Sequence, residues 1–435
     1  MLQRFSRDHL PLLLILAALL LGGSSAGGVW ANFVLQVLAL GAVAVTLLAK
    51  TTVSPPRGLT WLAIGIPALL VLQLVPLPPA LWSVLPGRAE IAAGFDLAGL
   101  ARPWLPLSLD QDGTLSALTA MIPPLAMLLV AAQASTRGRK LALWGVLALA
   151  LASVLLGLLQ LLPGFGYRLQ PYELTNHGMA TGLFANRNHH ATLLLMALPC
   201  AALLLTRPVA LALAGLAVSG GVLLIGSDAG VLLLLPVLAA SALFVRPVWR
   251  PGRVGKIALG VAALAMVALG GWQLGRRTQE PLPGGAEQHR PVIIATTLKA
   301  AKDYFPVGSG AGTFQRIYPR YEDPAKITPE YRNHAHSDYA EVVLEHGLPG
   351  LVLMLGALVW WLSAVLRPPG GPARAGAVML AAVLVHSLVD YPVRTGAIAA
   401  LAALAALLLD RRDTDEASEA EAAPPPQPEA LRVTL

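Results

Sequence analysis

The chain carries a single cysteine, Cys200, among 435 residues. One thiol cannot close an intrachain disulfide or supply a cysteine-based metal site, so a disulfide scaffold and a zinc ribbon are both excluded. Charge is scarce as well: Asp, Glu, Lys and Arg make up 13% of the residues, against roughly 25% in soluble domains. Aromatic residues are few, at 6%. What fills the chain instead is apolar. A hydrophobic share of 56% and a mean hydropathy of +0.65 exclude an ordinary soluble domain and point to an integral membrane protein. A net charge of +7 in so apolar a chain reflects Lys and Arg anchoring loops at a membrane face, so no nucleic-acid partner is read from it.

A bilayer core takes roughly twenty apolar residues per helix, and only helices satisfy the backbone across many separate apolar runs. Such runs lie near residues 9–23, 29–49, 59–79, 114–134, 141–162, 189–206, 208–226, 230–245, 256–275, 347–366, 375–391 and 395–409. The expected fold is therefore all-α, a polytopic membrane bundle of about twelve transmembrane helices. The first run follows Arg4 and Arg7 and resembles a signal peptide. With no forced small-residue cleavage site and further spans at once behind it, it reads as a retained first span.

Lys and Arg in the short loops orient the bundle. With the N-terminus inside, the cytoplasmic loops collect Lys50, Arg57, Arg137, Arg139, Lys140, Arg207, Arg246, Arg250, Arg253, Lys256, Arg367, Arg374, Arg411 and Arg412. The short outer loops hold only Arg88, Arg102, Arg168, Arg187 and Arg394. Both termini are then cytoplasmic. One long, helical periplasmic loop, 276–346, is inserted between the ninth and tenth spans of a transmembrane domain over 1–412. Residues 413–435, with Glu-Ala repeats and Pro424-Pro425-Pro426, bury too little apolar surface to fold and read as a disordered cytoplasmic tail. The outer connection at 80–113, with Trp82 and Trp104, reads as a connector lying on the membrane.

The groups able to do chemistry gather on the expected outer side. At the mouth of the sixth span, Asn186, Arg187 and Asn188 offer backbone N–H groups, a helix dipole and a guanidinium to an anionic head group. The same residues also suit a plain helix cap and a snorkelling arginine. In the long loop, Pro291 suits the first helical position and Ile294, Leu298, Ala301 and Phe305 recur at helical spacing, which predicts an amphipathic helix over 291–305 with Arg290 at its start. Gly308-Ser309-Gly310-Ala311-Gly312 could cup a phosphate, but no strand precedes it and a tight turn is the better reading. His334 and His336 precede Asp338, Glu341 and Glu345; residues two apart on a helix do not face one point and no third ligand follows, so no metal is expected. A histidine titrating near neutrality on the rim of a membrane enzyme suits a general base for a sugar hydroxyl. His336, beside a helix starting near Ser337, is the better placed of the two, since a helix N-terminus lowers its pKa and keeps it neutral. The turn from His386 to Arg394 reads as a hydrogen-bonded connection between spans.

Taken together, Gly182 to Ala191, Pro306 to Phe314, His334 to Gly350 and His386 to Arg394 resemble the O-antigen ligase and polymerase superfamily, membrane glycosyltransferases that use undecaprenyl-diphosphate-linked glycans. The resemblance spans residues 180–400. It implies a metal-independent, inverting transfer of a glycan from undecaprenyl diphosphate to a hydroxyl of lipid A core, another glycan or a protein, with no cofactor, at the periplasmic face of a bacterial inner membrane. Within the family pattern Arg290 matches an arginine that holds the donor diphosphate and His336 the loop histidine that acts on the acceptor, while Arg187, His334, Arg316, Asn186 and Asn188 are assigned to substrate binding. Two positions depart from the pattern. Asp228 stands where relatives carry an arginine, so either Arg187 or Arg316 supplies that charge or the donor is gripped differently, and Ser337 stands where asparagine is common. An O-antigen or exopolysaccharide polymerase and a protein O-oligosaccharyltransferase share the donor site and fit equally. A transporter or flippase should place ionisable residues near the midplane, whereas Asp228, His386 and Asp390 fall near span ends.

Overall fold

The computed structural model describes residues 2–49, 57–164, 166, 168–246, 290–324, 332–367 and 370–410. The expected span at 256–275, the loop up to residue 289, the tail after 412, and Lys50, Arg250, Arg253, Lys256, Arg411 and Arg412 lie outside them. The expected apolar runs within the described residues lie largely on helix, though 59–79 passes Leu74 into the strand Pro76–Leu77 and 375–391 passes His386 into a turn. By length and composition, six of these helices can cross a membrane: Trp30–Leu48, Gln111–Gln133, Thr136–Gln160, Pro208–Ile225, Asp228–Val245 and Asp338–Val365. Gly58–Leu74, Gly371–His386 and Gly396–Asp410 are shorter apolar helices. The only sheet among the described residues is one antiparallel pair, Pro76–Leu77 with Leu105–Pro106.

The helix Arg187–Leu204 is the axis of the bundle, buried at every residue from Asn188 to Ala202. A helix apolar on all sides is covered on all sides; this one packs against Thr136–Gln160, Pro208–Ile225, Asp228–Ala240 and Gly371–His386. Small residues let the neighbouring backbones close in. A Cβ on Gly376 would stand 2.4 Å from Ala405 O, and one on Gly22 would stand 2.7 Å from Ala397 N. Peripheral helices turn apolar side chains outward, as Trp30, Phe33, Val37, Leu40 and Leu48 do, which suits a lipid-facing surface. The run at 114–134 is divided at Met121 into Gln111–Ala120 and Ile122–Gln133, because Pro123 and Pro124 open the second helix and have no N–H to continue the first.

Connections expected on one side of the membrane bond to one another. Ala397 N donates to Gly22 O, Ala185 N to Gly23 O, Leu109 N to Ser309 O and Asp338 N to Ser387 O. At the opposite end Arg7 meets Gln133 O, Asp8 accepts from Ser135 N and Arg246 donates to Leu205 O and Thr206 O.

Two expectations at the site end are corrected. The loop helix spans Arg290–Tyr304, as the spacing indicates, but the buried face is Ile293, Thr297, Ala300, Ala301 and Tyr304. Leu298 and Phe305 point outward, 41% and 43% exposed. Both stripes have helical period, and packing against the long helix Asp338–Val365 selects the inner one. The 80–113 connection does more than lie on the membrane. Trp82 is buried and donates to Pro103 O, and Arg88 is buried with its guanidinium on Pro86 O, Leu107 O and Gly308 O, so the connection is clamped to the glycine run of the long loop. Burial lowers the Arg88 pKa to about 10.

Candidate active site

The glycine run is a crossing point. Gly308 N donates to Tyr304 O, Ser309 N to Leu344 O and Gly310 N to Glu345 O, while Ala311 N donates to Gln73 Oε1. These N–H groups are occupied, so this stretch cups no phosphate. The missing side chains are required by close approach: a Cβ on Gly308 would lie 2.5 Å from Glu345 O and one on Gly310 2.4 Å from Ser108 Oγ. On the facing segment, Gly347 interrupts the long helix at φ 55°, ψ −139°, and Leu348 N donates to Pro306 O at 2.8 Å. The helix therefore starts well before the apolar run at 347–366. Its first section, from Asp338 to His346, carries the carboxylates.

Ser337 caps that section, accepting from Ala340 N. Asp338, Glu341 and Glu345 recur at helical spacing and share one face. All three meet Arg394, from the short turn Pro392–Arg394: Nε to Asp338 Oδ1 at 3.4 Å, Nη1 to Glu341 Oε1 at 3.4 Å and Nη1 to Glu345 Oε2 at 3.2 Å. Burial works against the Arg394 cation, but Glu341, Glu345 and Asp338 outweigh it and hold the pKa above the ordinary value. Glu341 also grips the histidine segment, taking His334 Nδ1 at 2.8 Å and Ala335 N at 2.9 Å. A carboxylate only accepts, so His334 Nδ1 carries the hydrogen and Nε2 is left as the basic nitrogen; Nε2 is buried without a partner.

Tyr391 is the floor on which the histidines rest. Ring centroids of His334, His189 and His336 lie 4.4, 5.0 and 5.2 Å from its own. Its hydroxyl donates to Asn333 Oδ1 at 3.2 Å and receives Asn186 Nδ2 at 3.4 Å. Beside it, Asp390 Oδ2 lies 3.4 Å from Arg290 Nη2 and Oδ1 lies 3.7 Å from His189 Nε2. Burial would raise the Asp390 pKa; His189, Arg290 and His336 outweigh it and hold the carboxyl far below the usual range. His336 adopts φ 52°, a left-handed backbone costly for a side chain other than glycine and concentrated at functional positions. Its pKa falls to about 4, and burial is the main cause, opposed by Asp390. The expected direction is right, but the cause is desolvation, not the helix N-terminus.

The structure thus brings Asn186, His334, His336 and Arg290 around Asp390 and Tyr391. Asn186 is also a helix cap, accepting from Asn188 N at 2.8 Å. Arg187 is the next residue, its backbone N–H on Asn176 Oδ1. Asn188 is buried one residue further on, with Oδ1 lacking a hydrogen-bond partner. Arg316 is engaged elsewhere, with Nε 2.6 Å from Asp110 Oδ2 beside the 80–113 connection, where both line a cavity of about 350 Å³ with Arg88 and Asp112. Asp228 is the first residue of its helix, after the cap Ser227, where a carboxylate is favoured by the helix dipole. Asp390, Tyr391, Arg394 and His189 lie in stretches that carry the resemblance, but none of them is given a role in the site by the sequence alone. The available signal was the cluster of ionisable residues confined to a short turn between two apolar spans, together with the 338, 341, 345 spacing that demands a cation.

Among the described residues no group of three or more His, Cys, Asp or Glu is arranged to hold a metal ion. No curated protein matches the chain. Residues 210–355 match a family model described as O-antigen ligase. That stretch includes Asp228, Arg290, Arg316, His334 and His336 and stops short of Asn186, Asp390 and Arg394. The match covers about a third of the chain and makes that stretch similar to the O-antigen ligase family.

Proposed function

We propose that this protein transfers a glycan from a polyprenyl diphosphate, undecaprenyl diphosphate in a bacterial inner membrane, to an acceptor hydroxyl at the periplasmic face. The observation that carries this reading is the meeting of Arg290 and the loop histidines at one buried turn, with Arg290 Nη2 3.4 Å from Asp390 and the His336 ring 5.2 Å from Tyr391. The acceptor oxygen attacks the anomeric carbon on the face opposite the diphosphate. The carbon–oxygen bond to the diphosphate breaks, its electron pair leaves on that oxygen, and the hydroxyl proton passes to an imidazole nitrogen, with inversion at the anomeric carbon. A guanidinium meets charge growing on the leaving group, which needs neither metal nor cofactor.

His336 is the proposed base. At a pKa of about 4 it is neutral but weak before substrate arrives. A bound diphosphate would neutralise Arg290, one of the groups that depress it, and add negative charge nearby. Both effects raise the pKa, so the base strengthens once the donor is in place. His334 supports a second reading, because Glu341 orients it with Nε2 free to accept. The acceptor, whether lipid A core, a growing glycan or a protein, divides ligase from polymerase from protein-glycosylating enzyme.

The test is reconstitution. The purified protein in nanodiscs, given a polyprenyl-diphosphate glycan and each acceptor class in turn, should add the glycan's mass to one of them. His336→Ala should abolish transfer and His334→Ala reduce it; the reverse order moves the base to His334. Arg290→Lys should slow transfer about 30- to 1,000-fold, since an ammonium does not reproduce the planar contact. Unchanged turnover in Arg290→Lys would remove that residue from the donor site.

A further inference from the structure

The carboxylate of Asp390 is wholly buried, and its contacts are unusual for a connection between two helices. Oδ2 faces Arg290 Nη2 at 3.4 Å, and Oδ1 faces His189 Nε2 at 3.7 Å and accepts Tyr391 N at 2.8 Å. The adjacent carbonyl, Val389 O, accepts from Arg290 Nη1 at 3.1 Å, and Asp390 O takes Asp338 N at 3.2 Å. One turn therefore orients the arginine of the donor side and carries the phenol ring beneath the histidines.

A turn needs no charge for this. An asparagine would accept Tyr391 N equally well and avoid the desolvation cost of burying an ion. The negative charge itself must supply something, and two effects are open to it. It fixes the plane of the Arg290 guanidinium, and, next to Tyr391 whose ring lies 5.2 Å from that of His336, it favours a proton on His336, which Arg290, His334 and His189 disfavour.

We propose that Asp390 is a positioning residue for glycan transfer: it aims Arg290 at the diphosphate and supplies the negative charge that lets His336 hold the acceptor's proton. This rests on the reading of Arg290 and His336 given above. The carboxylate also competes with the diphosphate for Arg290, so its charge aids turnover at some expense of donor affinity. That opposition separates the role from simple support of the fold, where binding and turnover fall together.

The experiment uses the full-length protein in nanodiscs and the variant Asp390→Asn. Donor affinity is measured with a polyprenyl-diphosphate glycan, and turnover across pH with the acceptor found active. Turnover should fall roughly 10- to 100-fold, donor affinity should hold or rise, and the acidic limb of the pH profile should move to lower pH, because His336 without the nearby anion is harder to protonate. Wild-type turnover, or a parallel loss of donor binding and thermal stability, overturns the proposal. His336→Ala, measured alongside, separates the two readings. Full activity there removes the base assignment, whereas an inactive His336→Ala beside a fully active Asp390→Asn removes only the positioning role. Should Asp390→Asn not fold, His189→Gln decides: it removes a group that disfavours the His336 proton and should move the acidic limb to higher pH, and an unmoved limb overturns the proposal.

Discussion

The guanidinium of Arg394 reaches the carboxylate of Glu345, Nη1 to Oε2 at 3.2 Å, and so ties the turn between the last two helices to the helical section behind the histidines. Glu345 is fully buried and Glu341 nearly so, which leaves Arg394 as the cation both depend on. Arg394→Met should destabilise the protein by roughly 3–5 kcal/mol, the cost of leaving buried carboxylates without their counter-charge. Thermal unfolding in detergent measures it. The double variant with Glu345→Gln should recover part of the loss, because it removes one stranded charge; additive losses would show that the two groups are not coupled.

Gly347 and the glycine run should tolerate nothing larger. A Cβ on Gly347 would lie 2.1 Å from Pro306 O, at φ 55°, so Gly347→Ala must displace backbone as well as adopt a disfavoured conformation. Transfer and thermal stability should both fall. Gly41→Ala, where a Cβ meets nothing within 4 Å, is the matched control and should behave as wild type.

His336 makes a prediction about stability that is separate from catalysis. Its pKa drops from 6.5 unfolded to about 4 folded, so between those values the unfolded chain binds more protons than the folded one. Stability then rises with pH through that window and falls as pH drops from about 6.5 to 4. Asp390, held low in the folded state, adds stability above the unfolded carboxylate pKa that is lost only in stronger acid. Melting temperatures of wild type and His336→Gln should converge as pH falls through the window. A constant separation would place the acid sensitivity elsewhere.

The proposed sidedness can be read with a thiol. Ala295 is exposed on the loop helix and the native Cys200 is buried, so Ala295→Cys adds the reactive site without removing another. A membrane-impermeant maleimide should label it in cells with only the outer membrane permeabilised. Labelling that needs inner-membrane lysis would reverse the topology.

Much of this architecture could be read from residue order. The apolar runs announced their helices, and Ser337 and Asn186 announced two helix starts, because caps and periodicity are local properties. The face of the loop helix could not be read, since the stripes through Ile293 and Ile294 both have the right period and only packing on Asp338–Val365 chooses between them. The same holds for Asp390 and Tyr391. A short polar connection between spans looks alike in any membrane protein, and its meaning comes from residues 50 or more positions away that fold against it. The glycine run was legible as a turn: its pattern also suits anion capture, but its N–H groups are taken by residues 304, 344 and 345.

The break at Gly347 also bears on how the membrane acts on the site. Beyond it the long helix is almost bare, with 11% of its most apolar window buried inside the protein, so that part is the one a thicker or thinner bilayer would tilt. Before it, the helix is pinned by Ser309, Gly310 and Arg394. A non-helical joint between a lipid-borne lever and a fixed head decouples the two. Glycan transfer in bilayers of short and long acyl chains should therefore proceed at similar rates.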